Sequence, residues 1–410
     1  MKSTVFRLIY LLAGVLLAIG CRQENVILNF EVNTQGATAT LQQIMYNEMH
    51  DPNEPTTLRN TYERFKIVHI SDPHISDWTA DNHCSNPTNV LEAVQFANLT
   101  DLRINALVAT GDFISNMEKT TAFDASFYLR SFITALYTNN KVPTFVCTGN
   151  HDANMLTDKQ AYFLSKQMLN SLLFNKSNYT VHQPYGENYY YADLSNPCGG
   201  TIRIIALDNT DQEGFDYNSL TTSCITQQQV DWLIQTALVE GMTDTHHVII
   251  LNHHPLQRFS KDQSTYMCSG THLYGATLIP DVVNAFIQKK TWEADYKTTK
   301  APIATIQVKA DFSHAKGDFI CYLGGHAHTP AHFEVTCQES PAPKQLMLLA
   351  NTLSPEMQNN SYMYIKREKN ALSSNSFSIY AIDTQEKNIY ITSFGAKNNS
   401  VSAIETISYR

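Results

Sequence analysis

Five short apolar runs lie far apart in this chain, and each breaks off in a fragment built from metal-binding side chains. Phe65–Ile70 leads to Asp72-Pro73-His74, and Ile104–Ala109 leads to Gly111-Asp112. Val142–Cys147 leads to Gly149-Asn150-His151-Asp152, His247–Leu251 to His253-His254-Pro255, and Phe319–Leu323 to Gly325-His326-Ala327-His328. Short runs rich in β-branched and aromatic residues predict buried strands. In open α/β sheets, ligands gather where strands end and loops begin. A fold that brings these five strand ends to one place would assemble a site from residues remote in sequence.

Each fragment alone has a plain reading. Asp-x-His is usually a capping or surface pair, Gly-Asp a turn, and Gly-Asn-His-Asp a loop of turn formers. Gly-His-x-His alone reads as two solvated histidines. Together the fragments offer, as plausible ligands, two Asp, one Asn and four His, enough for two ions that share one carboxylate. In such sites the ions sit about 3.5–4 Å apart, a gap one carboxylate spans. Carboxylate with imidazole favours Mn, Fe, Zn, Co or Ni over a purely oxygen-ligated ion. None of the ligand positions is a thiolate, which argues against a structural Cys-rich zinc site.

In this order the fragments resemble the calcineurin-like metallophosphoesterases, from about Phe65 to the C-terminus. The resemblance implies an α/β fold, a four-layer α/β/β/α sandwich, with two divalent metal ions at the strand ends. It implies that Asp72, His74 and His328 hold one metal, that Asn150, His253 and His326 hold the other, and that Asp112 bridges them. The choice of His253 over His254 follows the family's His-x-Pro pattern. His151 would lie beside the substrate, as leaving-group acid or as donor to the phosphate, with Asp152 orienting its imidazole. The activity implied is hydrolysis of phosphate mono- or diesters through a metal-activated water. Two rivals stay open: a surface-binding lipoprotein that keeps the fold without catalysis, and a phosphatase of phosphoproteins.

The first residues read as a targeting segment. Lys2 and Arg7 precede the apolar stretch Leu8–Ile19, which ends in Gly20-Cys21. A basic start, a short apolar core and small residues at the end make a secretory signal. The core falls short of the roughly 20 residues that span a bilayer. Its Leu17–Cys21 end resembles a bacterial lipoprotein signal, in which the cysteine becomes the lipidated first residue; an ordinary signal peptide is the alternative. The expected organisation is a signal over 1–21, a tether or added strand over 22–60, and a phosphoesterase domain over 61–410. The expected location is the cell envelope, with membrane association through a lipid anchor. Seven cysteines follow the signal, so any disulfides leave at least one thiol over or an intermolecular bond. Cys147 and Cys321 fall in predicted core strands, while Cys198 and Cys224 are the best candidate pair.

The formal charge is −9, and charged residues make up 16% of the chain. That argues against a nucleic-acid-binding patch, which needs clustered basic side chains. A phosphate ester can still bind, because bound cations outweigh a negative surface locally. Between the site strands, Asn89–Ala97 and Gln227–Glu240 carry apolar residues at helical spacing. Ile202–Leu207 and Tyr189–Asp193 read as a hairpin around Asn196–Gly200, and Phe377–Ile382 with Ile389–Ser393 as a closing hairpin. Segments 153–200 and 256–316, which would shape specificity, carry no readable motif. Tyr185 and Tyr189–Tyr191 read as strand residues packing in a sheet, with a pocket for a base or sugar as the alternative. The sequence leaves the oligomeric state open.

Overall fold

Strand runs that are apolar on both faces need cover on both faces, and this chain supplies it. The computed structural model describes residues 64–76, 87–100, 102–115, 120–154, 163–174, 178–211, 222–223, 225–257, 271–272, 277–297, 305–353, 367, 374–396 and 405–410. The chain divides into two units, Met1–Gln43 and Ile44–Arg410, and every described residue belongs to the second. The expected signal, Cys21, the tether, the boundary at 60–61, and Cys84, Cys224 and Cys268 lie outside the described residues. No helix among the described residues is long and apolar enough to cross a membrane.

Among the described residues there are sixteen strands: β1 (Phe65–Ile70), β2 (Ala106–Thr110), β3 (Thr144–Cys147), β4 (Tyr190–Ser195), β5 (Thr201–Ala206), β6 (Thr222–Ser223), β7 (His246–Leu251), β8 (Thr271–His272), β9 (Thr291–Tyr296), β10 (Ile306–Asp311), β11 (Asp318–Gly324), β12 (Ala331–Glu334), β13 (Leu346–Leu349), β14 (Ser376–Asp383), β15 (Asn388–Gly395) and β16 (Glu405–Ser408). One six-stranded sheet runs β16-β15-β14-β1-β2-β3, and a second runs β12-β13-β11-β7-β5-β4. β1, β2 and β3 are mutually parallel, and so are β5, β7, β11 and β13. The outer strands pair antiparallel: β14 with β1, β15 with β14, β4 with β5 and β12 with β13. β9 with β10, and β6 with β8, make two smaller sheets. The fold is mixed α/β, as the alternation of strand and helix patterns predicts.

Helices follow the apolar periodicity. α1 (Thr88–Ala97) buries Val90, Ala93, Val94, Phe96 and Ala97. α2 (Ala122–Tyr137) opens with a capping box, in which Thr121 Oγ1 accepts from Asp124 N and the Asp124 carboxylate accepts from Thr121 N. α3 (Lys166–Leu169) runs into a π-helical turn over Asn170–Phe174. α4 (Gln227–Trp232), capped by the Thr226 hydroxyl, likewise widens into a π turn over Leu233–Ala237. α5 (Leu278–Gln288) ends at Lys289 in the left-handed conformation.

One apolar cluster joins both sheets and their helices. Tyr190 ties the sheets directly: its buried hydroxyl accepts from Val146 N at 2.8 Å and donates to Val146 O at 2.9 Å. Tyr190 and Tyr191 are buried in β4 and Tyr189 is buried just before it, so these three pack in the core, while Tyr185 is fully exposed. Cys147 and Cys321 are free thiols buried in β3 and β11, where they act as small hydrophobes.

Candidate metal centre

The five polar fragments meet because the strands before them run parallel within their sheets and end on one side. Asp72, Asp112 and Asn150 lie just past β1, β2 and β3; His253 and His326 lie just past β7 and β11. Pairing continues into the loops. Asp72 N donates to Gly111 O at 3.1 Å, His74 N to Asp112 O at 3.1 Å, and Gly325 N to His253 O at 2.9 Å. Ser71 bridges to Thr352 just past β13, and Leu353 N donates to Ser71 O, so the two sheets are stitched together at the site.

Glycine makes this approach sterically possible at two points. A Cβ on Gly149 would stand 2.3 Å from both Asp112 N and Asp112 Oδ1. A Cβ on Gly325 would stand 2.4 Å from Asp72 Oδ2 and closer still to Ser71 Oγ. The backbone is also unusual where side chains must aim inward. Asp72 (φ 51°), His74 (φ 47°), Asp112 (φ 54°), His326 (φ 66°) and His328 (φ 53°) all occupy the left-handed region. Non-glycine residues seldom sit there, and such strain concentrates at functional sites.

The side chains sort into two clusters. Asp72, His74, Asp112 and His328 form one and Asp112, His253 and His326 the other, with the ligand atoms of each within 4.8 Å of one another. Asp112 belongs to both. In the first, His328 Nε2 lies 3.3 Å from Asp72 Oδ1, and His74 Nε2 lies 3.7 Å from Asp72 Oδ1 and 3.9 Å from Asp112 Oδ2. In the second, His253 Nε2 lies 3.1 Å from Asp112 Oδ2. His253 Nδ1 is 2.6 Å from the Thr110 carbonyl oxygen. That contact keeps a ring proton on Nδ1, so that the neutral ring turns its Nε2 lone pair inward, the arrangement that orients a ligating histidine.

The residues present fit a pair of divalent ions. Nε2 of His74 and Nε2 of His328 face each other at 3.0 Å, with carboxylates on either side. The Asn150 amide is buried, and neither its nitrogen nor its oxygen has a hydrogen-bond partner among the described residues. Buried polar atoms are nearly always paired, and an ion would take the Asn150 oxygen. His254, beside the chosen His253, is also buried, with its ring centroid 4.4 Å from that of His326.

Charge in the metal-free chain is set by burial and by close neighbours. Burial works against ionised Asp72 and Asp112, yet the adjacent histidines hold both carboxyls well below the usual carboxylate range. Burial pushes His253 down, but Asp112 more than reverses it, raising that imidazole to about 9. Burial, aided by charge on His253, lowers His326 to about 3.

His151 sits at the rim, partly open to solvent. Its backbone N–H donates to Asp112 Oδ1 at 2.9 Å, and its Nε2 lies 3.9 Å from Asp112 Oδ2. Burial lowers its imidazole to about 4 against the pull of Asp112. Asp152 lies beneath it, held by backbone donors. Its carboxylate accepts from Gly149 N at 2.7 Å, Phe113 N at 2.7 Å and Asp112 N at 3.1 Å. With three backbone donors on its two oxygens, Asp152 pins the Asp112 loop to the Asn150 loop. Burial, and then the Asp112 carboxylate, push its carboxyl up, against the Gly149 and Phe113 N–H donors and the charge on His253.

Sequence reasoning passed over the residues that hold the ligands. The Thr110 hydroxyl meets His69 Nε2 at 2.8 Å and Ser71 Oγ at 3.0 Å, while Ser71 Oγ donates to Thr110 O at 2.8 Å. Thr352 Oγ1 donates to Asp72 O at 2.8 Å. Ser71 and Thr110 adjoin the fragments and could have been suspected; Thr352 carried no signal.

A family model described as calcineurin-like phosphoesterase matches residues 65–330, a span that contains all five fragments. The chain belongs to that family. No curated protein matches it. The match stops short of the C-terminus, yet β12–β16 complete both sheets of this calcineurin-like chain. Membership carries a metal-dependent phosphoesterase as the general frame, and the ligand clusters agree with it.

Proposed function

We propose that the protein is a di-metal phosphoesterase that hydrolyses phosphate mono- or diesters outside the cytoplasm. The observation that carries this reading is the sharing of Asp112 between two buried clusters, one with Asp72, His74 and His328, the other with His253 and His326. In the proposed assignment Asn150 completes the second. A bound ion pair supplies an activated water and positive charge for the phosphoryl oxygens during in-line displacement. The chain's own groups do the rest. The Thr110 carbonyl fixes the His253 tautomer, and Asp152 sets the spacing of the Asp112 and Asn150 loops. His151, at the open rim, donates a hydrogen bond to the phosphate or a proton to the leaving oxygen.

The proposal keeps the α/β/β/α layering that goes with the family, and envelope location through a lipid on Cys21. The lipoprotein-like end of the N-terminal segment supports that location. A panel assay tests the activity. Purified protein, loaded in turn with Mn, Fe, Zn, Co or Ni, is offered a nitrophenyl phosphate monoester and the matching diester. Turnover of either ester, with loss on chelation, is expected. Two bound ions with no turnover of any ester would favour a binding protein that keeps the fold.

A further inference from the structure

β5 ends at the site yet contributes none of the seven expected metal ligands. Its pairing with β7 continues one residue past the strand, where Leu207 N donates to Leu251 O at 3.0 Å, and two buried polar residues follow. Asp208 Oδ1 accepts from the Thr148 hydroxyl, and from Thr210 N and Thr210 Oγ1, each at 2.9 Å. Asn209 Oδ1 accepts from His253 N at 2.7 Å, and Asn209 Nδ2 donates to Asn252 Oδ1 at 2.8 Å. Asn252 Nδ2 in turn donates to His254 O at 2.6 Å. Thr148, Asp208, Asn209, Asn252 and His253 are all buried.

Two consecutive residues thus grip two loops from different sheets. Thr148 lies just before Gly149-Asn150, past β3 at the edge of the first sheet; His253 lies past β7 in the second. The second cluster draws Asp112 from one sheet and His253 and His326 from the other, so its geometry depends on how the sheets are spaced there. The brace is also costly. Among the described residues, Asp208 Oδ2 is buried without a hydrogen-bond partner. A half-satisfied buried carboxylate is a poor way to gain stability alone, since apolar packing does as well or better. Geometry is the stronger account of it.

We propose that Asp208 and Asn209 are positioning residues for the second cluster, holding the Asn150 and His253 loops at the separation one divalent ion requires. This rests on the two-ion reading above. The test is Mn²⁺ titration of metal-stripped protein, with the step lost in His253→Ala marking the second cluster. Thr148→Val and Asn209→Ala should each weaken that step about 10–100-fold, the range for groups that orient ligands, and leave the other step unchanged. Thr148→Ser, which restores the hydroxyl, should bring the affinity back. Equal weakening of both steps, or of neither, would overturn the inference. The substitutions sit on different sides of the brace, so if one does not fold the other still decides. Fewer than two ions on the wild-type protein would sink the two-ion reading itself, a failure visible before any variant is compared.

Discussion

Asp112 stands among four imidazoles and one other carboxylate because its loop cannot go elsewhere. Its N–H is held by Asp152, its carbonyl by His74 N, and Gly149 presses against its side chain. Gly149→Ala should therefore be severe, since the new methyl would meet Asp112 N and Oδ1 at 2.3 Å. Loss of metal from an otherwise folded protein is expected, read as metal per chain beside a circular dichroism spectrum; normal metal content would contradict the close-packing argument. His151 is a different case, since its side chain reaches the rim. His151→Ala should keep both metals and lower turnover by about 10²–10⁴-fold if the ring is a general acid. The loss should shrink for esters with good leaving groups. Equal losses for good and poor leaving groups would assign His151 to phosphate binding. At this scale the ligand types were legible in the sequence, because Asp, Asn and His are distinctive. The left-handed backbone at five of them was not, since nothing but folding defines φ.

The five site strands were legible as elements because both their faces are buried, which leaves unbroken apolar runs. β1 spans Phe65–Ile70 as expected, while β2 and β3 begin two residues later than their apolar runs, at Ala106 and Thr144. Pro143 explains the second shift: it offers no N–H to a ladder. The helix expected over Gln227–Glu240 is present but shorter, turning π-helical at Leu233. α2 went unread even though Thr121 and Asp124 form a capping box, because no polar stripe interrupts its apolar residues clearly. β10 alternates buried and exposed residues, and β9 half-buried and exposed ones, along an outlying pair, but they lie inside a stretch without motifs. α2 matters for the site. Phe132 stacks on Phe113 with ring centroids 4.0 Å apart, and the Phe113 N–H is one of the three that hold Asp152. Phe132→Ala should cost about 3–5 kcal/mol by denaturant unfolding. Metal affinity should weaken as well. A cost below about 1 kcal/mol, far under the usual price of emptying a packed aromatic site, would show that α2 does not support the Asp112 loop.

Across the whole molecule, two sheets meet so that three parallel strand ends of one oppose those of the other, and the ligands are divided between them. The meeting of the five strand ends was legible in the fragments, whereas the brace between sheets, through Tyr190, Thr352 and Asp208-Asn209, rests on residues with no pattern of their own. The proposed anchor is tested at this scale by Cys21→Ser. The variant should leave the membrane fraction with its metal site intact; continued membrane association, in cells that lipidate other proteins, would point to another anchor. The central claim is that one carboxylate joins two ions. Metal analysis of wild-type protein beside Asp112→Asn tests it most directly. The wild type should hold two ions per chain, about the count a shared-carboxylate site takes, and the variant should lose both together, along with turnover. Loss of only one ion, or two ions and full turnover in Asp112→Asn, would contradict it.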